Sequence, residues 1–270
     1  MPPIEGFMFD LDGTLILSDR SLGSYRVLPG ATEVLETLEE KDIPFVVLTN
    51  GTAYPPAEQA SKLRNAGLPV EDDQMLTPSS VAADLMVRHR ERSALLLGTP
   101  GVGHCLKEAG IEILFHGDDS ADKVDAVYVG WHPGCGMKDI ETACNAIRNG
   151  ARLYVASNVP FFASTSGRTM GYSFAITAAI RAVTKAPMIL TGKPSLEALR
   201  FVARKLRVPM KRVGVVGDDP LVEIIMARRG GAQSFGVTTG FNKEADWRAQ
   251  DERRRPDRLL SGVSDLLDFL

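Results

Sequence analysis

Apolar residues along this chain arrive in short, nearly unbroken runs, and helical stripes separate them. The first run, Phe7-Met8-Phe9, stops abruptly at Asp10-Leu11-Asp12-Gly13-Thr14-Leu15. After a Pro29-Gly30 turn, residues 31–41 place Val34, Leu35 and Leu38 on one helical face. A second apolar run over 43–48 stops at Thr49-Asn50-Gly51, and Pro55-Pro56 opens a helix reaching about Gly67. Strands that are apolar throughout, alternating with helices, predict a parallel sheet covered on both faces. Ligands of such sheets bind beyond the C-terminal strand ends, where Asp10 and Thr49 both fall.

The alternation continues downstream. Strands are expected at 93–97, 111–115, 126–129, 152–156, 188–190 and 213–216, with a last one at 235–238. Helices are expected at 104–109, 137–149, 171–183, 195–207 and 220–229, with a short one over 263–270. No internal repeat or low-complexity linker interrupts the pattern. Gly98-Thr99-Pro100-Gly101-Val102-Gly103 is glycine-rich, but His104-Cys105 follow where a phosphate-binding P-loop needs Lys-Ser/Thr. It reads as a tight strand-to-helix turn.

Composition narrows the classes. At 270 residues the chain suits one large domain or two modest ones, and an apolar share of 44% supports a real core. A net charge of −3 offers no basic field for nucleic acid. Arg253-Arg254-Arg255 lies among Asp251, Glu252 and Asp257 and reads as a solvated helix face. Cys105, Cys135 and Cys144 show no metal-ligand spacing, which suggests free thiols in a reducing compartment. No leader peptide is recognisable, and no apolar run approaches the roughly 20 residues that span a bilayer. A soluble cytoplasmic protein without membrane or nucleic-acid partners is expected.

The chemistry concentrates at strand ends. In a strand, Asp10 and Asp12 point the same way. Two carboxylates so placed need a cation between them or a proton on one. Val213-Gly214-Val215-Val216-Gly217-Asp218-Asp219 repeats that arrangement, and Thr191-Gly192-Lys193-Pro194 sets a lysine in a turn before a helix. Taken singly, Lys193 would be a surface charge, and Asp218-Asp219 a helix cap with an acidic first turn. The ordered set carries the information: Asp-x-Asp, Thr-Asn, Lys, Gly-Asp.

That set resembles the four motifs of the haloacid dehalogenase superfamily. Leu28-Pro29-Gly30-Ala31, Leu48-Thr49-Asn50, Ala156-Ser157-Asn158 and Gly192-Lys193-Pro194-Ser195 are similar to its NagD-like and 4-nitrophenylphosphatase branch. The resemblance implies an α/β fold: a three-layer Rossmann-like core with a parallel sheet, plus an inserted α/β cap domain. Little chain separates Asp12 from Pro29-Gly30, whereas far more separates Asn50 from Lys193 than one crossover needs. The expected division is therefore 1–77 and 187–270 for the core, with 78–186 as a cap that selects substrate.

The resemblance also implies a magnesium-dependent phosphatase of small phosphorylated metabolites. Asp10 would be the nucleophile forming an aspartyl-phosphate, and Asp12 the acid/base. Asp12 speaks against the dehalogenases and phosphonate-cleaving relatives, which lack an acid there. Mg2+ would be held by Asp10, the Asp12 carbonyl and Asp218. Thr49, Asn50, Gly51 and Lys193 would hold phosphate. Three departures from the branch stand out. Glu223 replaces its usual second aspartate and would act on the metal from behind the direct ligands, with Asp219 as the other candidate. Asn158-Val159-Pro160-Phe161 replaces an Asn-Pro-Asp turn, and Gly130-Trp131-His132 a Gly-Phe-Asp-like one. Trp131, His132, Arg168 and Tyr172 are the candidate substrate contacts of the cap. Phosphoryl transfer to an alcohol and non-catalytic binding of a phosphate ligand are the alternative readings. A homodimer through the cap is also implied as an option.

Overall fold

The structure, a computed structural model, describes residues 2–18, 25–164 and 167–270; side chains are described for all of these except 162–164, 167 and 168. Two parallel sheets organise it. The first runs in the order Arg258–Leu260, Gln233–Val237, Val213–Gly217, Gly6–Phe9, Phe45–Leu48, Met75–Leu76. The second runs Met188–Leu190, Arg152–Val155, Ala126–Val129, Ser93–Leu97, Glu112–Leu114. Every pairing within these two sheets is parallel, as strands apolar on both faces require. Phe9 pairs with Val216 on one side and Val47 on the other, so Asp10, Asp218 and Thr49 emerge along one rim.

The expected helices form, with ends displaced by a residue or two. Ala31–Glu40 buries Val34, Leu35 and Leu38 together with Phe7, Phe9 and Phe45 in one cluster on the first sheet. Fully burying side chains of this kind contributes roughly 1.5–3 kcal/mol each. Leu196–Leu206 starts with Ser195, whose hydroxyl accepts from the Glu197 amide at 3.1 Å.

Several elements differ from the sequence expectations. A helix at Pro78–Arg88 has no counterpart in the periodicity reading. Its buried residues include Pro78, Ser79, Val81, Ala82, Ala83, Leu85 and Met86, so they do not form the one-sided stripe that signals a surface helix. Met8, Val46 and Leu48 of the first sheet and Ala94, Leu96, Tyr128 and Tyr154 of the second join Val81 and Met86 in a single hydrophobic cluster. The strand at Gln233–Val237 is not the last, because Arg258–Leu260 adds an edge to the first sheet. Arg253 and Arg254 sit in a turn and Arg255 in the irregular stretch after it, not on a helix face. The segment between Asp12 and Pro29 carries a hairpin, Ile16–Ser18 with Tyr25–Val27. A second hairpin pairs Phe161–Ser164 with Gly167–Met170. Met188–Leu190 lies just past the expected boundary at 187, yet it is the edge strand of the second sheet. Among the described residues, no helix is long and apolar enough to cross a membrane.

Candidate active site

The C-terminal rim of the first sheet gathers the acids that the motifs singled out. Asp10 follows strand Gly6–Phe9 and is held by the Thr14 hydroxyl, which donates to Oδ2 at 3.3 Å. Gly13 lets the chain double back with φ +87°, and a Cβ there would fall 2.5 Å from Asp218 Oδ2. That close approach brings the first and fourth motifs together. Asp218 follows strand Val213–Gly217, and its backbone carbonyl accepts from Asn242 Nδ2 at 3.0 Å.

Glu223 owes its inward aim to a wide helical turn, Pro220–Ile224, of the π type. A Cβ on Gly217 would lie 2.2 Å from Glu223 Cγ, so only glycine leaves room for it. Glu223 is buried, and Lys193 Nζ donates to its Oε1 at 2.9 Å and also to Asp10 Oδ1. Asp219 takes another role. Its Oδ1 caps the turn, accepting from the Leu221 amide at 2.7 Å. Of the two acids left open by the sequence, Glu223 is the one grouped with Asp10 and Asp218. Ligand oxygens of these three lie within 4.8 Å of one another. A buried set of carboxylate oxygens is the donor chemistry of a hard divalent cation such as Mg2+.

Electrostatics follow from this crowding. Burial, and next the Asp10 carboxylate, push Asp12 up to about 7, against the opposing pull of Lys193 and a hydrogen bond to Ser18. Burial raises Glu223 to about 8 despite Lys193. Asp218 is pushed well above the carboxylate range by burial, then by Asp10 and Glu223. Burial disfavours the charge on Lys193, but Asp10 and Glu223 more than offset it and hold the ammonium above its usual value. One lysine thus stands among three carboxyls, those of Asp12, Asp218 and Glu223, whose charged forms are disfavoured.

Lys193 is placed by a clamp. The Asn50 side chain accepts from the Lys193 amide at 2.8 Å and donates to the Lys193 carbonyl at 3.0 Å. The Gly51 amide donates to the Thr49 hydroxyl at 2.9 Å. Thr49, Asn50, Gly51 and Lys193 line a cavity of about 200 Å³ shared with Asp10, Asp12, Asp218, Asp219 and Glu223. Trp131 and Tyr172 close another side, edge to face at 4.6 Å between ring centres. The Trp131 amide donates to Thr52 Oγ1 at 3.0 Å. His132 is not among the lining residues and turns toward Asp139. The Arg168 side chain lies outside the described residues.

Sequence reasoning passed over three neighbours of these groups. Ser18 donates to Asp12 from the first hairpin, and nothing in its local sequence marks it. Thr52 continues the Thr49 loop. Asn242 follows the end of strand Gln233–Val237, where the strand-end rule would have pointed.

Comparison with known proteins agrees with this geometry. A family described as haloacid dehalogenase-like hydrolase matches residues 7–112, and a second, HAD-hydrolase-like family matches 190–266. The chain is 23% identical over 271 residues to the 5'-nucleotidase YutF of Bacillus subtilis, covering 100% of both chains. It is 25% identical over 248 residues to the ribonucleotide monophosphatase NagD of Escherichia coli K12, covering 90% of this chain and 91% of NagD. The crystal structure of a 4-nitrophenylphosphatase from Thermotoga maritima superposes with a TM-score of 0.86 at 28% identity, covering 98% of this chain and 97% of that one. With both halves of the acidic site inside matched segments, the chain belongs to the haloacid dehalogenase-like hydrolases and is NagD-like within them.

Proposed function

We propose that this protein is a magnesium-dependent phosphatase that hydrolyses small phosphate monoesters through an aspartyl-phosphate on Asp10. One observation carries the reading: Asp10, Asp12, Lys193, Asp218 and Glu223 converge on one cavity at a parallel-sheet rim. The relatives' activities on nucleotides and on nitrophenyl phosphate accord with it.

Asp10 attacks phosphorus as the ester oxygen leaves, forming one P–O bond while another breaks. Asp12 gives its proton to the departing alkoxide. It then takes a proton from the water that cleaves the acyl phosphate. A carboxyl near neutrality suits both roles, which fits the position of Asp12 at about 7. Lys193 neutralises charge on Asp10 and on the phosphate. The Thr49 hydroxyl and the Asn50 and Gly51 amides orient the remaining phosphate oxygens, the Gly51 amide leaving Thr49 to do so. Asp10, the Asp12 carbonyl, Asp218 and Glu223 would hold Mg2+, which when bound supplies positive charge against the carboxylates and phosphate. Trp131 and Tyr172 meet the organic part of the substrate.

Colorimetric hydrolysis of an aryl phosphate with Mg2+ tests this directly. Asp10→Asn should lower kcat by several orders of magnitude in a folded protein. Wild-type rates in that variant would exclude the mechanism.

A further inference from the structure

A second cluster of ligating side chains lies on the unit built around the second sheet. The turn after strand Ala126–Val129 leads through His132 and Cys135 into helix Met137–Arg148, whose first turn carries Asp139. Ligand atoms of His132, Cys135 and Asp139 all lie within 4.8 Å of one another. His116 approaches the same Asp139 oxygen from the loop after Glu112–Leu114.

The distances discriminate between an ion pair and a metal centre. Asp139 Oδ1 is 3.4 Å from His132 Nε2 and 3.8 Å from His116 Nε2. Both exceed the roughly 2.7–3.2 Å of a good N–H···O hydrogen bond. The His132 distance matches an edge of a ligand tetrahedron, because bonds of about 2.0–2.3 Å to a central ion separate its ligands by about 3.3–3.8 Å, while His116 stands outside the group as a partner of Asp139. Asp139 is also anchored as a ligand should be. Its second oxygen accepts from the Gly136 amide at 2.8 Å, and the residue is buried.

We propose that His132, Cys135 and Asp139 hold a divalent transition ion of the zinc type, with His116 partnering Asp139 from outside the ligand group. An imidazole, a thiolate and a carboxylate favour Zn2+ or Co2+ and not Mg2+, so the site is chemically separate from the acidic cavity. Binding displaces the Cys135 thiol proton to solvent, and the thiolate sulfur forms a bond to the ion. The ion would tie the turn after Val129 to the first turn of helix Met137–Arg148 and fix His132. The neighbouring Trp131 faces the catalytic cavity, so the ion would set the position of that wall without entering the reaction.

Cobalt titration of the full-length protein, with Mg2+ in excess to occupy the acidic cavity, tests the site. One equivalent of Co2+ per chain should produce a thiolate-to-cobalt charge-transfer band and the intense visible bands of tetrahedral cobalt. Cys135→Ser should abolish the charge-transfer band, while Cys105→Ser and Cys144→Ser keep it. His116→Asn alters a largely exposed residue and tests the site even if Cys135→Ser misfolds. It should weaken Co2+ binding by the roughly tenfold that loss of an outer-shell partner costs. No band in the wild type, a band that survives Cys135→Ser, or unchanged affinity in His116→Asn would overturn the site. None of these outcomes depends on phosphatase activity.

Discussion

Among the described residues, Lys193 is the one cation lining the acidic cavity, buried against Asp10 and Glu223. Removing one partner of a buried charge cluster leaves the others uncompensated, at a cost of about 3–5 kcal/mol. Lys193→Met is expected to lose that much in urea denaturation at neutral pH and to lose turnover as well. The raised carboxyls make a second expectation. Asp12 moves from 3.8 to about 7 and Glu223 from 4.5 to about 8 on folding. The folded protein therefore keeps protons that the unfolded chain has released, and stability falls as pH rises through that window. Without metal, the melting temperature should drop between about pH 5 and pH 8, and saturating Mg2+ should restore it by binding the folded state. A metal-free melting temperature that rose over this range would contradict the assignment. Asp10, Asp12, Lys193 and Asp218 could be recognised from sequence because each ends a strand or opens a helix. The Asn50 clamp could not, since its partner is 143 residues away and nothing local couples them.

At the scale of elements, the wide turn Pro220–Ile224 is what turns Glu223 inward. Gly217→Ala places a methyl 2.2 Å from Glu223 Cγ, so the turn or the glutamate must shift. Overpacking of this kind costs about 1–3 kcal/mol. The variant should also bind Mg2+ more weakly by isothermal titration, with its secondary structure intact. Sequence periodicity recovered the elements that bury one face and expose the other, such as Ala31–Glu40 and Leu196–Leu206. It missed Pro78–Arg88 because that helix is buried on more than one side. It missed both hairpins because three- and four-residue strands are too short to establish an alternation. His132, Cys135 and Asp139 are close in sequence, but they mix three residue types, so the spacing rule for cysteines did not mark them, and His116 reaches Asp139 only through the fold.

For the molecule as a whole, helix Pro78–Arg88 joins what the sequence divides. Ser79 Oγ lies 3.1 Å from the Tyr128 hydroxyl of the second sheet, and Asp84 accepts from Arg204 of helix Leu196–Leu206 at 2.6 Å. Val81 and Met86 share one hydrophobic cluster with strands of both sheets. Calorimetry should therefore show one cooperative transition. Met86→Ala should lower that transition as a whole, at a cost of about 2–5 kcal/mol, and not uncouple a second one. This shared interior also governs traffic through the catalytic cavity. Because helix Pro78–Arg88 packs against strands of both sheets, it would resist a swing of one sheet from the other. Reactant entry and product exit would then depend on doorway size, with Trp131 and Tyr172 lining the cavity, and turnover would not have to wait for a large hinge to open.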